Sequence, residues 1–303
     1  MDSVTETNSP ADIADANIAD PAEIAELRRV AVYLAETAAA HVRRRRPEVF
    51  GPGQVGDDSI RTKSTPTDPV TVVDTDTEQL IRTLLAETRP GEQVLGEEGG
   101  GSLGAGGDIV WVVDPIDGTV NFVYGIPAYA VSVAAVREGR SLAGAVTDVA
   151  NAITYSAGAG AGATRTDTAG VSVRLRCNDI GSAQLALVAT GFGYGAARRA
   201  RQGELVAQLL PRVRDIRRIG SAALDLCMVA TGRVDAHYEH GLNPWDWAAG
   251  ALIAAEAGAV LRLPGADSTG ADGALTVAAA PGIAAELTGL FDGLGITAPI
   301  PEA

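Results

Sequence analysis

The chain has 303 residues and a net charge of −14. That length suits one layered α/β unit, and the acidic balance argues against a nucleic-acid-binding surface, which needs a basic patch. Hydrophobic residues make up 46% of the chain but aromatics only 4%, so Ala, Val, Leu and Gly supply most of the core and its elements must approach closely.

Residues 1–20 are acidic and Ala-rich and lack the apolar stretch of a signal peptide; they read as a disordered tail. Residues 21–303 read as a single domain with two subregions, 21–150 carrying most of the site and 151–303 completing it. Apolar residues at helical spacing (Ile24, Leu27, Val30, Ala31, Leu34) predict a helix over Ile24 to Val42, ended by Pro47. Arg43 to Arg46 read as its solvated final turn, favoured by the helix dipole. A short extended run over Val70 to Val73 then leads to a helix over Glu78 to Glu87, capped by Thr75 or Asp76. A short strand, Gln93 to Leu95, delivers Gly96-Glu97-Glu98, and Gly99 to Gly107 reads as a flexible loop.

Strands follow at 109–113, 128–136, 142–149 and 151–156, with a hairpin between 155–162 and 171–175. The second half alternates: strand 185–190, helix 202–210, strand 215–219, helix 221–231, strand 234–239 and helix 245–257. Strands at 260–263 and 275–279 and a helix over 282–294 complete it. The pattern predicts stacked sheet and helix layers. Glu256 interrupts the best apolar run, Trp247 to Val260, so no bilayer span is read. Cys177 and Cys227 form no metal-ligand or redox spacing, which suits a reduced cytosol, and Cys227 reads as a buried small hydrophobe.

The informative segment is Asp114-Pro115-Ile116-Asp117-Gly118-Thr119, which ends the apolar run Ile109 to Val113. Together with Glu97, Glu98 and the distant Asp246, it offers the hard oxygen ligands that Mg²⁺ takes. Gly118 and Thr119 offer small residues and free backbone N–H groups for a phosphate. Each acid alone reads as a cap or turn residue. Brought together they would repel, and divalent cations would relieve that repulsion. His41, His237 and His240 assemble no nucleophilic triad and no zinc site, and His240 reads as a rim residue. Gly191-Phe192-Gly193-Tyr194-Gly195 lacks the ending of a P-loop and reads as a structural or substrate-rim loop. Trp245 and Trp247 read as core packing for the helix that carries Asp246.

Gly96-Glu97-Glu98, Trp111 to Phe122 and Trp245 to Gly250, supported by Gly220-Ser221-Ala222-Ala223-Leu224 and Ala236-His237-Tyr238-Glu239, resemble the signatures of inositol monophosphatases, closest to the actinobacterial inositol-1-monophosphatases. The resemblance runs from about residue 24 to 290. It implies a layered αβαβα sandwich and hydrolysis of myo-inositol 1-phosphate by metal-activated water, with two or three Mg²⁺ per site, a homodimer, a cytoplasmic location and lithium sensitivity. It implies Glu97, Asp114, the Ile116 carbonyl, Asp117 and Asp246 as metal ligands. Asp74 and Thr119 would orient and deprotonate the water, supported by Glu98. Gly118, Thr119, Ala222, Glu239 and Lys63 would bind substrate. Fructose 1,6-bisphosphate, histidinol phosphate and a 3′-phosphoadenosine nucleotide stay open as substrates, as does a regulatory binding role; no nucleic-acid or membrane partner is read.

Overall fold

The computed structural model describes residues 19–51, 60–62, 69–103, 107–265 and 268–302. Residues 1–18 of the expected tail and Lys63 lie outside them. Helix α1 (Pro21–Phe50) begins at Asp20, whose carboxylate caps the Ala22 N–H at 2.9 Å. It buries Leu27, Val30, Ala31, Leu34, Ala38 and Val42 along one stripe. Contrary to expectation it does not stop at Pro47. The helix runs on for one more turn, closed by the Gly51 N–H on the Pro47 carbonyl. The arginines before it are not simply solvated: Arg43 donates to the Val149 carbonyl, and Arg46 donates to the Phe122 carbonyl while sitting over the rings of Phe50 and Phe122.

A short antiparallel pair, β1 (Ile60–Thr62) and β2 (Pro69–Thr71), precedes α2 (Val72–Thr88). The cap of α2 is Thr71, not Thr75 or Asp76. Thr71 and Asp74 form a reciprocal capping box, which starts the helix on the β-branched pair Val72-Val73.

The first sheet has seven strands in chain order: β3 (Gln93–Gly96), β4 (Val110–Asp117), β5 (Ala130–Arg137), β6 (Arg140–Asp148), β7 (Ile153–Gly158), β8 (Gly162–Thr166) and β9 (Ser172–Arg174). Only β3 and β4 pair in parallel. Alternation splits each central strand between two cores. Trp111, Val113, Val131 and Val133 face α1 and α2, while Val110, Val112, Ala130 and Ala134 face the opposite layer.

That layer holds α5 (Ala222–Ala230) and α6 (Pro244–Glu256), which pack on each other and against both sheets. The second sheet has the order β11 (Asp215–Arg217), β10 (Leu187–Thr190), β12 (Ala236–His240), β14 (Leu275–Ala279) and β13 (Val260–Arg262). Outside it lie α4 (Ala196–Leu209) and α7 (Ala284–Leu294). The helix predicted at 202–210 therefore starts six residues earlier, at Ala196. Leu185, predicted as strand, instead ends a 3₁₀ turn before β10. The layers read α, β, α, β, α, the order that the family resemblance implies. Cys227 is buried in α5.

Strand β4 is longer than the predicted 109–113 because pairing with β5 resumes after an irregularity. Asp114 pairs with Ser132, and Asp117 pairs with Ala130. Pro115 has no N–H to give the ladder, so it sits in the bulge. Three steps along β4 thus match two along β5. In a regular strand Asp114 and Asp117 would point to opposite faces; the extra residue turns them to the same one.

Candidate active site

The carboxylates converge. One oxygen from each of Asp114, Asp117 and Asp246 can be chosen so that all lie within 4.8 Å of one another. They sit in a cavity of about 390 Å³ whose wall also includes Glu97, Ile116, Gly118, Thr119, Ala222 and Glu239. Asp114 is oriented by the Ile116 N–H, which donates to its Oδ1 at 3.0 Å. Asp117 Oδ2 accepts from the Ser221 hydroxyl and, at 2.7 Å, from the Ala223 N–H at the start of α5. Asp246 is the third residue of α6 and accepts from the Asn243 N–H at 2.7 Å, so one oxygen caps the helix. Glu97 enters beside the parallel pair β3–β4, its N–H donating to the Val113 carbonyl at 3.2 Å.

Asp74 and Thr119 meet although they stand 45 residues apart, the Thr119 hydroxyl lying 3.1 Å from Asp74 Oδ1 and 3.0 Å from the Ile116 carbonyl. Asp74 Oδ2 accepts from the Thr71 N–H at 3.0 Å and from the Thr71 hydroxyl. Gly118 precedes α3 (Thr119–Tyr124) at φ 93°, where a Cβ would lie 3.0 Å from the carbonyls of Ala128 and Gly220. Only glycine suits that backbone. Glu98 does not line the cavity; it approaches Asp74 closely enough for its charge to act there.

Several functional contacts were invisible in the sequence. Glu78, buried in α2, accepts from the Glu98 and Gly99 N–H groups at 2.7 and 2.8 Å and so shapes the turn that carries Glu97. Ser221 holds Asp117, and Arg198 and Arg218 are cationic members of the cavity wall. Sequence spacing could not reveal these, because Glu78 and Ser221 act on residues distant in the chain and the two arginines reach the wall only in the fold. His240 lines the cavity but is a buried wall residue, its Nε2 2.7 Å from the Ile296 carbonyl. Trp247 is core, while Trp245 packs on the core and also lines the cavity. The Gly191–Gly195 loop forms part of the wall, as a rim loop would.

Burial penalises charge here. It pushes Asp74 up to about 7, against the Thr71 hydrogen bond and with help from the Glu97 and Glu98 charges. It pushes Asp117 up to about 6 despite Ser221 and Ala223, and Asp246 well above the usual carboxylate range, reinforced by Glu97 and Asp117. Glu239 rises to about 8 through burial, with Arg218 opposing. A convergent set of hard oxygen donors whose negative charge the protein leaves poorly compensated fits a divalent cation such as Mg²⁺.

An α/β sandwich with such an acidic cavity at the ends of its strands defines a phosphate-ester hydrolase class of site. The comparisons with known proteins agree: residues 23–293 match the inositol monophosphatase family. The inositol-1-monophosphatase of Mycobacterium bovis is 57% identical over 286 residues, spanning 92% of this chain and 98% of that protein. The solved structure of Mycobacterium tuberculosis SuhB is 54% identical with a TM-score of 0.76, covering 89% of this chain and 97% of that one. The Nus factor SuhB of Pasteurella multocida is 38% identical over 76% of this chain and 85% of that protein. The chain belongs to the inositol monophosphatase family and is a phosphatase of that family. Among the described residues no helix is long and apolar enough to cross a membrane.

Two substitutions probe this geometry. Thr119→Val removes the hydroxyl that links Asp74 to the Ile116 carbonyl. It is expected to lower kcat by about 10²-fold or more, on the scale of a lost general-base contact, with KM little changed. An equal loss carried entirely in KM would contradict the assignment. Gly191→Ala would place a Cβ about 2.1 Å from Glu239 Oε2. The Glu239 carboxylate end must shift, so thermal stability should move little while substrate KM rises several-fold; unchanged kinetics would show that Glu239 does not need its present place.

Proposed function

We propose that this phosphatase hydrolyses myo-inositol 1-phosphate to myo-inositol and phosphate with Mg²⁺ bound at Asp114, Asp117, Asp246, Glu97 and the Ile116 carbonyl. The observation that carries the reading is the meeting of three carboxylates from β4 and α6 in a cavity that also presents Glu239. When bound there, Mg²⁺ supplies charge neutralisation for the phosphoryl group and makes water a better proton donor. Gly118 and Thr119 take the phosphate. Thr119 Oγ1 gives its proton toward Asp74 Oδ1 and keeps a lone pair for an attacking water, which it orients. Asp74 is the final proton acceptor, and Glu98 tunes it by its charge. Glu239 accepts hydrogen bonds from substrate hydroxyls, and the Ala222 backbone lies beside it on the wall. Lys63, outside the described residues, is carried in this reading as a further phosphate contact. The reading includes a cytoplasmic homodimer that lithium inhibits.

The test is a substrate panel: inositol 1-phosphate, fructose 1,6-bisphosphate, histidinol phosphate and a 3′-phosphoadenosine nucleotide, each with Mg²⁺ and with chelator. The highest kcat/KM should fall to inositol 1-phosphate, and chelator should abolish turnover of all four. A clear preference for another ester overturns the substrate. A second reading, a regulatory binding role, is favoured by the likeness to a protein named as a Nus factor. It gains ground if Asp114→Asn removes hydrolysis and leaves the cellular phenotype of the native gene intact.

A further inference from the structure

Strand β12 sends His237 and Glu239 to one face and Tyr238 to the other, where Tyr238 meets the Phe291 ring of α7. The His237 face meets α5, where Asp225 lies on the first turn. His237 Nδ1 is 3.6 Å from Asp225 Oδ2, and Nε2 is 3.9 Å from Glu239 Oε2. Acid, imidazole and acid therefore form a row that ends at the cavity wall, since Glu239 lines the cavity. His237 and Asp225 are buried, and the β12 ladder places His237 between Ala189 and Ala278. Among the described residues neither ring nitrogen of His237 has a hydrogen-bond partner, nor has Asp225 Oδ1. An apolar residue would fill that space without the desolvation penalty. A polar row kept at that penalty, and aimed at a cavity carboxylate, has a task.

We propose that Asp225 and His237 are positioning residues: aligned head to tail behind it, they orient the Glu239 carboxylate electrostatically so that its cavity-side oxygen accepts a hydrogen bond from a polyol hydroxyl, and thereby set a preference for phosphomonoesters of polyhydroxylated alcohols. The inference deepens the reading of Glu239 given above and rests on it. Burial drives the His237 pKa down to about 3, so the imidazole is neutral and carries one N–H. Burial, then the Glu239 and Asp117 charges, pushes Asp225 well above the usual carboxylate range. Protonated Asp225, its Oδ2 3.6 Å from Nδ1, presents its proton to the lone pair of that nitrogen, which favours the N–H on Nε2, the side that faces Glu239. The reverse tautomer would aim a lone pair at the carboxylate. Glu239 is thus faced on one side by Nε2–H at 3.9 Å and bounded on another by the Gly191 backbone, while Arg218 favours its charged form.

The decisive experiment compares inositol 1-phosphate with p-nitrophenyl phosphate, which has no polyol, using the Mg²⁺-loaded protein and its His237→Phe variant. The KM for inositol 1-phosphate should rise about tenfold, the scale of one charge-assisted hydrogen bond, with kcat/KM for p-nitrophenyl phosphate within about twofold. His237→Gln, which keeps an amide donor, should recover most of the loss. Equal losses on both substrates, or no loss on either, overturn the inference. Should His237→Phe fail to fold, ¹⁵N NMR of the native protein decides: a neutral Nε2–H tautomer supports the chain, and an Nδ1–H tautomer or an imidazolium at neutral pH overturns it. A native protein with no preference for inositol 1-phosphate overturns the substrate reading itself. A preference that survives in His237→Phe overturns only the positioning.

Discussion

Asp114→Asn is expected to lower kcat/KM by about 10³-fold or more while leaving the far-UV circular dichroism unchanged. The two effects separate because the residue has two jobs. Its Oδ1 accepts from the Ile116 N–H within the bulge, and an amide oxygen can do the same. Its charge belongs to a cluster with Asp117 and Asp246, and the amide cannot replace that. Removing one of several buried like charges relieves repulsion, so the metal-free variant should melt at a higher temperature than the metal-free native protein. Millimolar Mg²⁺, in turn, should raise the melting temperature of the native protein much more than that of the variant. A variant that still turns over at a tenth of the native rate, or that gains as much from Mg²⁺, would remove Asp114 from the metal site.

The second large effect is a pH dependence of the metal-free protein. Asp74 is held up to about 7 and Glu239 up to about 8 by burial, whereas unfolded carboxyls titrate near 4. Between those values the native chain keeps protons that the unfolded chain has released. Stability from these groups is complete below about pH 4 and is lost as pH rises through about 7 to 8. Each group titrating in this window weakens the fold by about 1.4 kcal/mol per pH unit. Calorimetry in chelator should therefore show a fall of several degrees between about pH 5 and pH 8. Mg²⁺ should restore more at pH 8 than at pH 5, because a cation competes with protons for the same oxygens. A metal-free melting temperature that is flat or rises over this interval would contradict the burial of these acids.

Much of the site was legible because its strongest signal is local. Asp114 to Thr119 is six consecutive residues, and the helix behind Asp246 follows from Pro244 and the apolar run after it. What was not legible depends on pairs remote in the chain or on competition between rules. Val72-Val73 reads as strand by β-propensity, yet the Thr71–Asp74 box starts a helix there. Pro47 reads as a stop, yet the helix tolerates it one turn from its end. Asp225 and His237 look like ordinary polar residues until α5 is laid on β12. Glu78 looks like a solvated helix acid until its oxygens are found on the Glu98 and Gly99 amides.

The single surplus residue at Pro115 couples two properties that are usually adjusted separately. Trp111 and Val113 lie just before it, anchored under α1 and α2, and the acids lie at and beyond it. Sliding β4 by one position against its neighbour would force an indole into the Ala-rich layer around α6 and scatter the ligands in the same movement. The cohesion of the interior therefore acts as the ruler for ligand spacing, and drift that loosens one is purged by the failure of the other.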